Sequence, residues 1–341
     1  HYRKKYYFYN YMNIAVLFYG QPRFLEFTKQ RFLEEYNIPG CNVDFFIHFW
    51  KDIGYCPDQD IKCQYDVNPT LEDDINYLNP KEYNITNYSS LDDLTYIIKN
   101  TCDFFLSGKI KTKRLHPKSR YLFGQHLSLK MAYNLMETYE EKNNIKYDRV
   151  IKARSDFIFK DNNFYKNIDK YNAAKIEYYG LNHSESEINS VYTVALAKQH
   201  YNSNKEKWEL QRIDKYDPNN EVLHDKYNTL RCGDVSNSCS REAARYFFDN
   251  WFETYTETLI KDVRNNNPTP LQLHRRHDSL QGEIILNNKI TAYRIKRGRL
   301  HRVDYENNIR DKWQNHDLIL LDKNSKNKVQ DINDKMISLI P

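Results

Sequence analysis

The sequence predicts an α/β fold in which a mainly parallel central sheet lies between layers of helices. Two nearly continuous apolar runs, at residues 13–19 and 43–50, are typical of strands buried on both faces of such a sheet. A helical pattern at residues 24–36 separates them, so the three segments form a strand–helix–strand unit. A second long helical pattern, at residues 123–143, leads into another apolar segment at residues 147–159. We therefore expect a three-layer α/β sandwich.

Hydrophobic periodicity predicts the other elements. The apolar residues of the first helix are expected near one face: Phe24, Phe27, Phe32 and Leu33. Those of the second helix are expected to form one stripe: Leu127, Met131, Leu135 and Met136. Further strands are predicted at residues 173–179, 191–197 and 290–295, and further helices at residues 241–261 and 278–287. The polar residues 200–230 are expected to form loops.

Residues 12–308 are expected to form one domain, after an N-terminal extension at residues 1–11 and before a charged C-terminal tail at residues 309–341. Residues 51–116 are polar and lack a clear period, so we expect an irregular insertion over the sheet edge. This insertion either becomes ordered when a donor or acceptor binds, or is a passive surface elaboration.

Composition argues against several classes of partner. The 341 residues carry a net charge of +5, from 51 basic and 46 acidic side chains, which is too balanced for broad nucleic-acid binding. A local site for a small anion such as a diphosphate is the better expectation. No apolar run approaches the ~20 residues that span a membrane, and the six cysteines form no CxxC pair. We expect a soluble, cytoplasmic protein with reduced cysteines, no nucleic-acid partner and no membrane span.

The first candidate site is the Gly-Gln-Pro-Arg sequence at residues 20–23, directly after the first strand. Ligands of open α/β sheets bind at the carboxyl ends of the strands. Gly20 allows close approach of the backbone to a ligand, and Arg23 can grip phosphate oxygens. The sequence is neither a GxGxxG motif nor a P-loop, which argues against an ordinary dinucleotide or ATP site. A tight turn with a solvent-facing arginine is the alternative.

The second candidate site is the Arg-Ser-Asp sequence at residues 154–156, after the apolar Val150 and Ile151. A carboxylate at a strand end suits a hard divalent cation, which binds one or two carboxylates together with substrate phosphates. Asp156 is the candidate metal ligand, and Arg154 would either help neutralise a diphosphate or pair with an acid. A surface ion pair of little energetic consequence is the alternative.

Three segments together resemble a known family. They are Ile-Ala-Val-Leu-Phe-Tyr-Gly-Gln-Pro-Arg at residues 14–23, Asp-Phe-Phe-Ile-His-Phe-Trp at residues 44–50 and Tyr-Asp-Arg-Val-Ile-Lys-Ala-Arg-Ser-Asp at residues 147–156. The combination is similar to glycosyltransferases of the GT-A type, and more narrowly to bacterial and large-virus enzymes that build surface glycans, including the WavE-like group. The resemblance implies a GT-A-like three-layer sandwich.

The resemblance also implies a set of donor-binding residues: Gly20, Gln21, Arg23, His48, Trp50, Gln125, Lys130, Arg154 and Arg299. Asp156 matches the last acid of the metal-binding DxD motif of the family, while Arg154 replaces the first acid. A divalent cation, Mn²⁺ or Mg²⁺, is therefore expected at Asp156, with His301 as a late ligand. Arg154 could instead supply part of the positive charge itself.

Catalytic and acceptor residues follow from the same resemblance. Inverting enzymes of this type use an acid near a helix start to remove the acceptor proton, and Asp278 or Glu283 has that position. A first-turn acid that complements the helix dipole is the alternative for Asp278. Asp234 would bind an acceptor hydroxyl, and Ser240 would cap the next helix. The basic residues 297–302 would close over the diphosphate or form a solvated turn.

We expect a glycosyltransferase that moves a monosaccharide from a nucleotide-sugar donor to a hydroxyl of a glycan or glycoconjugate, with the assistance of a divalent metal. One alternative is a catalytically silent protein that binds glycans or nucleotide sugars, which would be in keeping with the incomplete DxD motif. The other is a sugar nucleotidyltransferase, which also holds Mg²⁺ with acids at strand ends but normally has a glycine-rich loop after the first strand.

Overall fold

The computed structural model describes residues 11–51, 70–87, 117–160, 168–181, 189–193, 195–202, 204, 207–220, 228–233, 236–252, 254, 277–295, 299–305 and 318–321. The strands in this part of the chain are β1 Met12–Gly20, β2 Cys41–Trp50, β3 Glu82–Thr86, β4 Arg149–Ala153, β5 Phe157–Lys160, β6 Ser190–Thr193, β7 Leu196–Asn202, β8 Lys207–Arg212, β9 Lys215–Tyr216, β10 Asn228–Cys232, β11 Asn237–Ser240, β12 Thr291–Arg294, β13 Arg299–Tyr305 and β14 Leu318–Leu321. The α-helices are α1 Leu25–Glu35, α2 Leu71–Tyr77, α3 Pro117–Asn143, α4 Ile168–Tyr178, α5 Arg241–Ala244 and α6 His277–Asn287.

Eight of the described strands form the central sheet, in the order β3-β2-β1-β4-β11-β6-β12-β9. Strands β3, β2, β1 and β4 are parallel to one another, and β6 is parallel to β12. Strand β11 runs antiparallel between β4 and β6, and β9 is antiparallel to β12 at the edge. All strands except β11 and β9 therefore share one direction, which confirms the expected α/β fold with a mostly parallel central sheet.

Helices cover both faces of this sheet because alternate side chains of its strands point in opposite directions. On one face, the side chains Ile14, Val16 and Phe18 of β1 pack in a buried cluster with residues of α1, α2 and α4. On the other face, Ala15, Leu17 and Tyr19 pack in a second cluster with residues of α3, α5 and α6. The core is thus divided into two parts by the sheet.

Two smaller sheets flank the central one. Strands β10, β7 and β8 form an antiparallel sheet, and helix α6 packs closely on β10. Strands β14, β13 and β5 form the other, in which β13 is antiparallel to β5. Among the described residues, no helix is both long enough and apolar enough to cross a bilayer.

The strand predicted at residues 173–179 is wrong, because residues 173–178 belong to helix α4. Its apolar residues are spaced for a helix: Ala174 and Tyr178 are four residues apart, and both are buried. Alanine, lysine and glutamate in the segment also favour helix.

Two of the predicted strands are each divided between two strands of the structure. Residues 147–159 do not form one strand: β4 ends at Ala153, and β5 begins at Phe157 in a different sheet. Residues 191–197 are likewise divided between β6 and β7 of different sheets. The expected loop at residues 200–230 contains β8 and β9 in full, because β8 pairs with β7 as a hairpin and hides its backbone polar groups.

The positions of β1, β2, α1, α3, α6 and β12 confirm the predicted elements, but the buried stripe of α3 is rotated from the expected one. Among the side chains of this helix that the structure describes, the buried apolar ones are Leu129, Ala132, Tyr133 and Met136, whereas Leu127, Met131 and Leu135 are half-buried. The second half of the predicted helix 241–261 lies mainly outside the described residues. Its start is α5, capped by the side chain of Ser240, followed by a π-helical turn, Arg245–Asp249.

Two predicted peripheral segments contribute to sheets. Within residues 51–116, strand β3 pairs in parallel with β2 at the edge of the central sheet, and α2 buries Leu71 and Ile75 in the core. Within residues 309–341, strand β14 pairs with β13. The polar composition of both segments hid these elements, because an edge strand and a short helix need only a few apolar residues.

Candidate functional site

A cleft lies at the carboxyl ends of β1, β2 and β4. It encloses about 390 Å³ of space, part of it open to solvent, and nine residues line it: Tyr19, Gly20, Gln21, Arg23, Trp50, Gly124, Gln125, Arg154 and Asp156. The first four follow or end β1, Trp50 ends β2, and Gly124 and Gln125 belong to α3. Arg154 and Asp156 form the turn that follows β4.

The strand order explains why a cleft forms at this place. From β1 the chain continues to β2 on one side, whereas β4 pairs with β1 on the other side. The helix that connects β1 to β2, α1, packs on one face of the sheet, whereas α3, which leads into β4, packs on the other face. Such a switch point leaves a crevice outside the carboxyl ends of the strands, where open α/β sheets bind ligands.

The loop between β1 and α1 has an unusual backbone at both ends. Gly20 has φ +88°, and a side chain there would meet no atom within 4 Å, so the glycine serves the backbone conformation and leaves open space. Phe24, the residue before α1, has φ +56°, which is rare for a bulky residue. The N–H of Gly20 donates a hydrogen bond of 2.7 Å to Ser128 Oγ of α3.

Asp156 is buried between two arginines. Its carboxylate accepts hydrogen bonds from Arg154 Nε at 2.8 Å and from Arg154 Nη2 at 2.7 Å. Arg23 Nη1, from the loop after β1, lies 3.7 Å from Asp156 Oδ2. The three groups carry a net charge of one positive unit, and the Arg154 guanidinium also covers the ring of Phe157 at 4.9 Å.

Hydrogen bonds join the two loops that carry these arginines. Ser155 Oγ donates to the carbonyl oxygen of Gln21 at 3.0 Å, and Thr28 Oγ1 of α1 lies 2.9 Å from the carbonyl oxygen of Ser155. Arg23 Nε donates to Gln21 Oε1 at 2.8 Å. Arg23 and Asp156 are therefore held at a fixed separation by the backbone of both loops.

His48 supports the cleft from behind and does not line it. Its ring is fully buried, with Nδ1 2.7 Å from Ser128 Oγ and Nε2 3.0 Å from Thr86 Oγ1. Burial lowers the pKa of His48 to about 4, so the ring is neutral at physiological pH. Beside it, Trp50 Nε1 donates to the carbonyl oxygen of Gly124 at 3.0 Å, which fixes the indole against α3.

A divalent cation would meet an engaged carboxylate at Asp156. Both carboxylate oxygens accept hydrogen bonds from Arg154, so a cation bound there would share them with a guanidinium of like charge. Within the described parts of the chain, no group of three or more His, Cys, Asp or Glu side chains is placed to hold a metal ion. The arrangement as it stands does not fit Mn²⁺ or Mg²⁺, and the metal expected from the sequence stays a prediction.

Comparisons with known proteins do not assign this cleft. Neither the models of known protein families nor the curated proteins include a match to this chain. The chemistry of the site must therefore be argued from its own residues.

Seven of the predicted site residues meet in the cleft: Gly20, Gln21, Arg23, Trp50, Gln125, Arg154 and Asp156. Lys130, expected to bind the donor, instead forms an ion pair of 3.3 Å with Asp249 of the π-helical turn. Glu283 is exposed on α6, and the backbone of Asp278 lies in the first turn of that helix. Asp234 lies outside the described residues.

The basic segment at residues 299–302, at the start of β13, lies near the turn after β4 because β13 pairs with β5. His301 is in register with Ile158 and Arg299 with Lys160, so β13 runs beside the strand that begins one residue after Asp156. The side chains of His301 and Arg299 lie outside the described part of the structure.

Sequence analysis missed two lining residues, Tyr19 and Gly124, and the role of Ser128 as a link between β1 and β2. Tyr19 Oη accepts a hydrogen bond of 3.3 Å from Gln125 Nε2. Ser128 Oγ accepts from Gly20 and lies 2.9 Å from the carbonyl oxygen of His48. A polar residue on the buried stripe of α3 was the signal available for Ser128, because a buried hydroxyl needs hydrogen-bond partners.

Proposed function

We propose that this protein is a glycosyltransferase that moves a monosaccharide from a nucleotide-sugar donor to a hydroxyl of a glycan or glycoconjugate. The observation that carries the proposal is the cleft between β1 and β4, where Arg23 and Arg154 flank the buried Asp156. A diphosphate is the part of a nucleotide sugar that two guanidinium groups at a strand end recognise best.

The arrangement of the strands supports the proposal. The three segments that resemble GT-A glycosyltransferases become β1, β2 and β4, which are neighbours in the sheet. Residues at the ends of all three line one cleft. Segments that are far apart in the sequence thus converge on one site, as a shared ligand would require.

The chemistry of the transfer gives the arginines a direct role. When the bond between the sugar carbon and the diphosphate oxygen breaks, the nucleoside diphosphate leaves with additional negative charge. Positively charged groups held at that oxygen stabilise the charge as it develops. Arg154 would do this from the turn after β4 and Arg23 from the loop after β1, and Asp156 would fix the position of the Arg154 guanidinium.

The acceptor side remains a prediction from the sequence. In an inverting reaction, Asp278 or Glu283 would take the proton of the acceptor hydroxyl, whereas a retaining reaction needs no such base. Replacing each acid by its amide separates the two candidates. Asp278→Asn or Glu283→Gln should abolish transfer and leave nucleotide binding unchanged if that residue is the base.

A panel of nucleotide sugars tests the proposal. Donor hydrolysis and transfer would be measured for each donor with Mn²⁺ and with EDTA, because metal assistance was expected from the sequence. We expect turnover of at least one nucleotide sugar. Binding without turnover would favour a catalytically silent glycan- or nucleotide-sugar-binding protein, and formation of a nucleotide sugar from a sugar phosphate would favour a nucleotidyltransferase. A protein that neither binds nor turns over any nucleotide sugar would refute the proposal.

A further inference from the structure

We propose that the diphosphate of the ligand is bound by Arg154 and Arg23 without a divalent cation, and that Asp156 is a positioning residue for Arg154 and not a metal ligand. This inference rests on the proposed function, because it names how the same cleft recognises the nucleoside diphosphate. It departs from the metal site that the sequence predicts at Asp156.

The first argument is the engagement of Asp156. Arg154 bonds to both of its carboxylate oxygens in a parallel, two-point arrangement, at 2.8 and 2.7 Å. Such bidentate pairs are the strongest and most directional ion pairs that side chains form. A cation that bound the same oxygens would share them with the guanidinium, a like charge at hydrogen-bond distance, and would weaken both hydrogen bonds.

The second argument is the sign of the local charge. Two guanidinium groups surround one carboxylate, since Arg23 Nη1 is also within 3.7 Å of Asp156. The cluster is therefore already positive before any ligand arrives. A dication would be repelled by both arginines at close range, whereas a diphosphate would be attracted by them.

A ligand in the cleft can reach the side chain of Arg154 more easily than that of Asp156. The side chain of Arg154 is 17 % exposed, whereas the side chain of Asp156 is 2 % exposed and that of Arg23 is 5 % exposed. A ligand that enters the cleft therefore meets the guanidinium of Arg154 first, and the carboxylate lies behind it. This is the order of groups expected for a phosphate site with a supporting acid.

Both arginine side chains are held in place before a ligand binds. Arg154 is fixed by Asp156 on one side and by the Phe157 ring at 4.9 Å. Arg23 is fixed by Gln21 Oε1 at 2.8 Å. A preorganised pair of cations loses little conformational freedom when it binds phosphate, so it can replace a metal ion as the source of positive charge.

Calorimetry on the full chain tests the inference. UDP, GDP, ADP, CDP and inorganic pyrophosphate would each be titrated in Mn²⁺ and in EDTA. We expect at least one nucleoside diphosphate to bind with dissociation constants that agree within about threefold between the two conditions. The double variant Arg154→Leu with Asp156→Asn removes both members of the bidentate pair and should weaken binding at least about tenfold in both conditions.

Two further variants sharpen the comparison. Arg294→Ala removes an arginine that lies outside the cleft and forms an ion pair of 2.6 Å with Asp214. This variant should leave the affinity for the nucleotide unchanged. Asp156→Asn separates positioning from metal binding. A positioning role predicts that the affinity falls by the same factor in Mn²⁺ and in EDTA, whereas a metal-ligand role predicts loss of the Mn²⁺-dependent part alone. Circular dichroism on each variant checks that it is folded.

The outcomes distinguish the inference from the proposed function. Nucleotide binding that requires Mn²⁺ would overturn the inference and leave the proposed function standing. Pyrophosphate binding in EDTA that depends on Arg154, without binding of any nucleotide, would keep the arginine site and refute the nucleotide-sugar assignment. Absence of binding by every probe in both conditions would overturn both. If the double variant does not fold, the comparison of Mn²⁺ and EDTA on the wild-type chain still decides the inference.

Discussion

The backbone N–H of Gly20 donates a hydrogen bond of 2.7 Å to Ser128 Oγ, which joins the carboxyl end of β1 to helix α3 at the floor of the cleft. The same hydroxyl lies 2.7 Å from His48 Nδ1 at the end of β2. One serine thus sets the distance between two neighbouring strands and the helix that covers them. The shape of the candidate donor site depends on this contact.

Replacing Ser128 by alanine should lower the free energy of unfolding by about 1–3 kcal/mol, because it leaves a buried N–H without an acceptor. It should also weaken nucleotide binding, since Gly20 lines the cleft. Urea denaturation and calorimetry measure the two effects. Asn134→Ala changes an exposed residue of the same helix, outside the cleft, and serves as the control. A Ser128→Ala protein as stable as the wild type would contradict the role of this contact.

The buried His48 predicts a specific loss of stability in mild acid. Its pKa is about 4 in the folded protein, below the value of 6.5 expected when it is exposed, because burial disfavours the charged ring. The unfolded chain therefore binds a proton between pH 6.5 and 4 that the folded chain does not. Protonation of His48 therefore does not affect the free energy of unfolding above pH 6.5, and it lowers that free energy by roughly 3 kcal/mol as the pH falls to 4.

The measurement is the free energy of unfolding against pH for the wild type and for His48→Gln. The variant should be less stable at pH 7.5, but the difference between the two proteins should shrink as the pH falls from 6.5 to 4. A constant difference across that window would show that His48 does not carry the predicted proton linkage.

Gly282 allows helix α6 to lie directly on β10. A Cβ atom at this position would be 1.7 Å from the carbonyl oxygen of Leu230, which is backbone and cannot move aside. Gly282→Ala should therefore destabilise the protein by about 3 kcal/mol or more, although alanine alone would favour the helix by about 1 kcal/mol. The exposed Asn287 of the same helix provides the control Asn287→Ala. Equal stability of the two variants would contradict this packing.

Asp156→Ala should combine loss of stability with loss of activity. It leaves Arg154 and Arg23 without their shared counter-charge, so we expect the free energy of unfolding to fall by about 3 kcal/mol. The matched control Asp214→Ala breaks the more exposed pair with Arg294 and should cost about 0.5 kcal/mol or less. Donor turnover should be lost only in the first variant. A stable and active Asp156→Ala protein would exclude the residue from the site.

The first strands and their site were predictable from the sequence because each is a local pattern. Residues 14–19 and 44–50 are buried on both faces, so the apolar runs are nearly continuous, and the polar residues after them mark the strand ends. The ends of parallel neighbours meet at one edge of a sheet. Arg23 and Arg154 could therefore be proposed to share one crevice, whereas Trp50 was proposed from the resemblance to GT-A glycosyltransferases.

Other features depend on tertiary partners and were not predictable. Asp156 matches a metal ligand in the sequence, where its pairing with Arg154 was the alternative and was expected at the surface. Tertiary packing buries that pair, so that only 2 % of the Asp156 side chain is exposed, and no local pattern predicts such burial. Helix α4 contains the buried Lys175, whose Nζ contacts the carbonyl oxygen of Asn37 at 2.6 Å, and this polar burial obscured the helical pattern. Strand β3 is short and at an edge, so its pairing with β2 gives only a weak apolar signal.

A crystal structure of the protein with the nucleoside diphosphate that binds most tightly tests the central claim most directly. The account predicts that the phosphate oxygens lie between the ends of β1 and β4, at about 3 Å from the guanidinium groups of Arg154 and Arg23. A nucleotide bound elsewhere on the protein, with no phosphate contact to either arginine, would contradict the assignment of this cleft as the donor site.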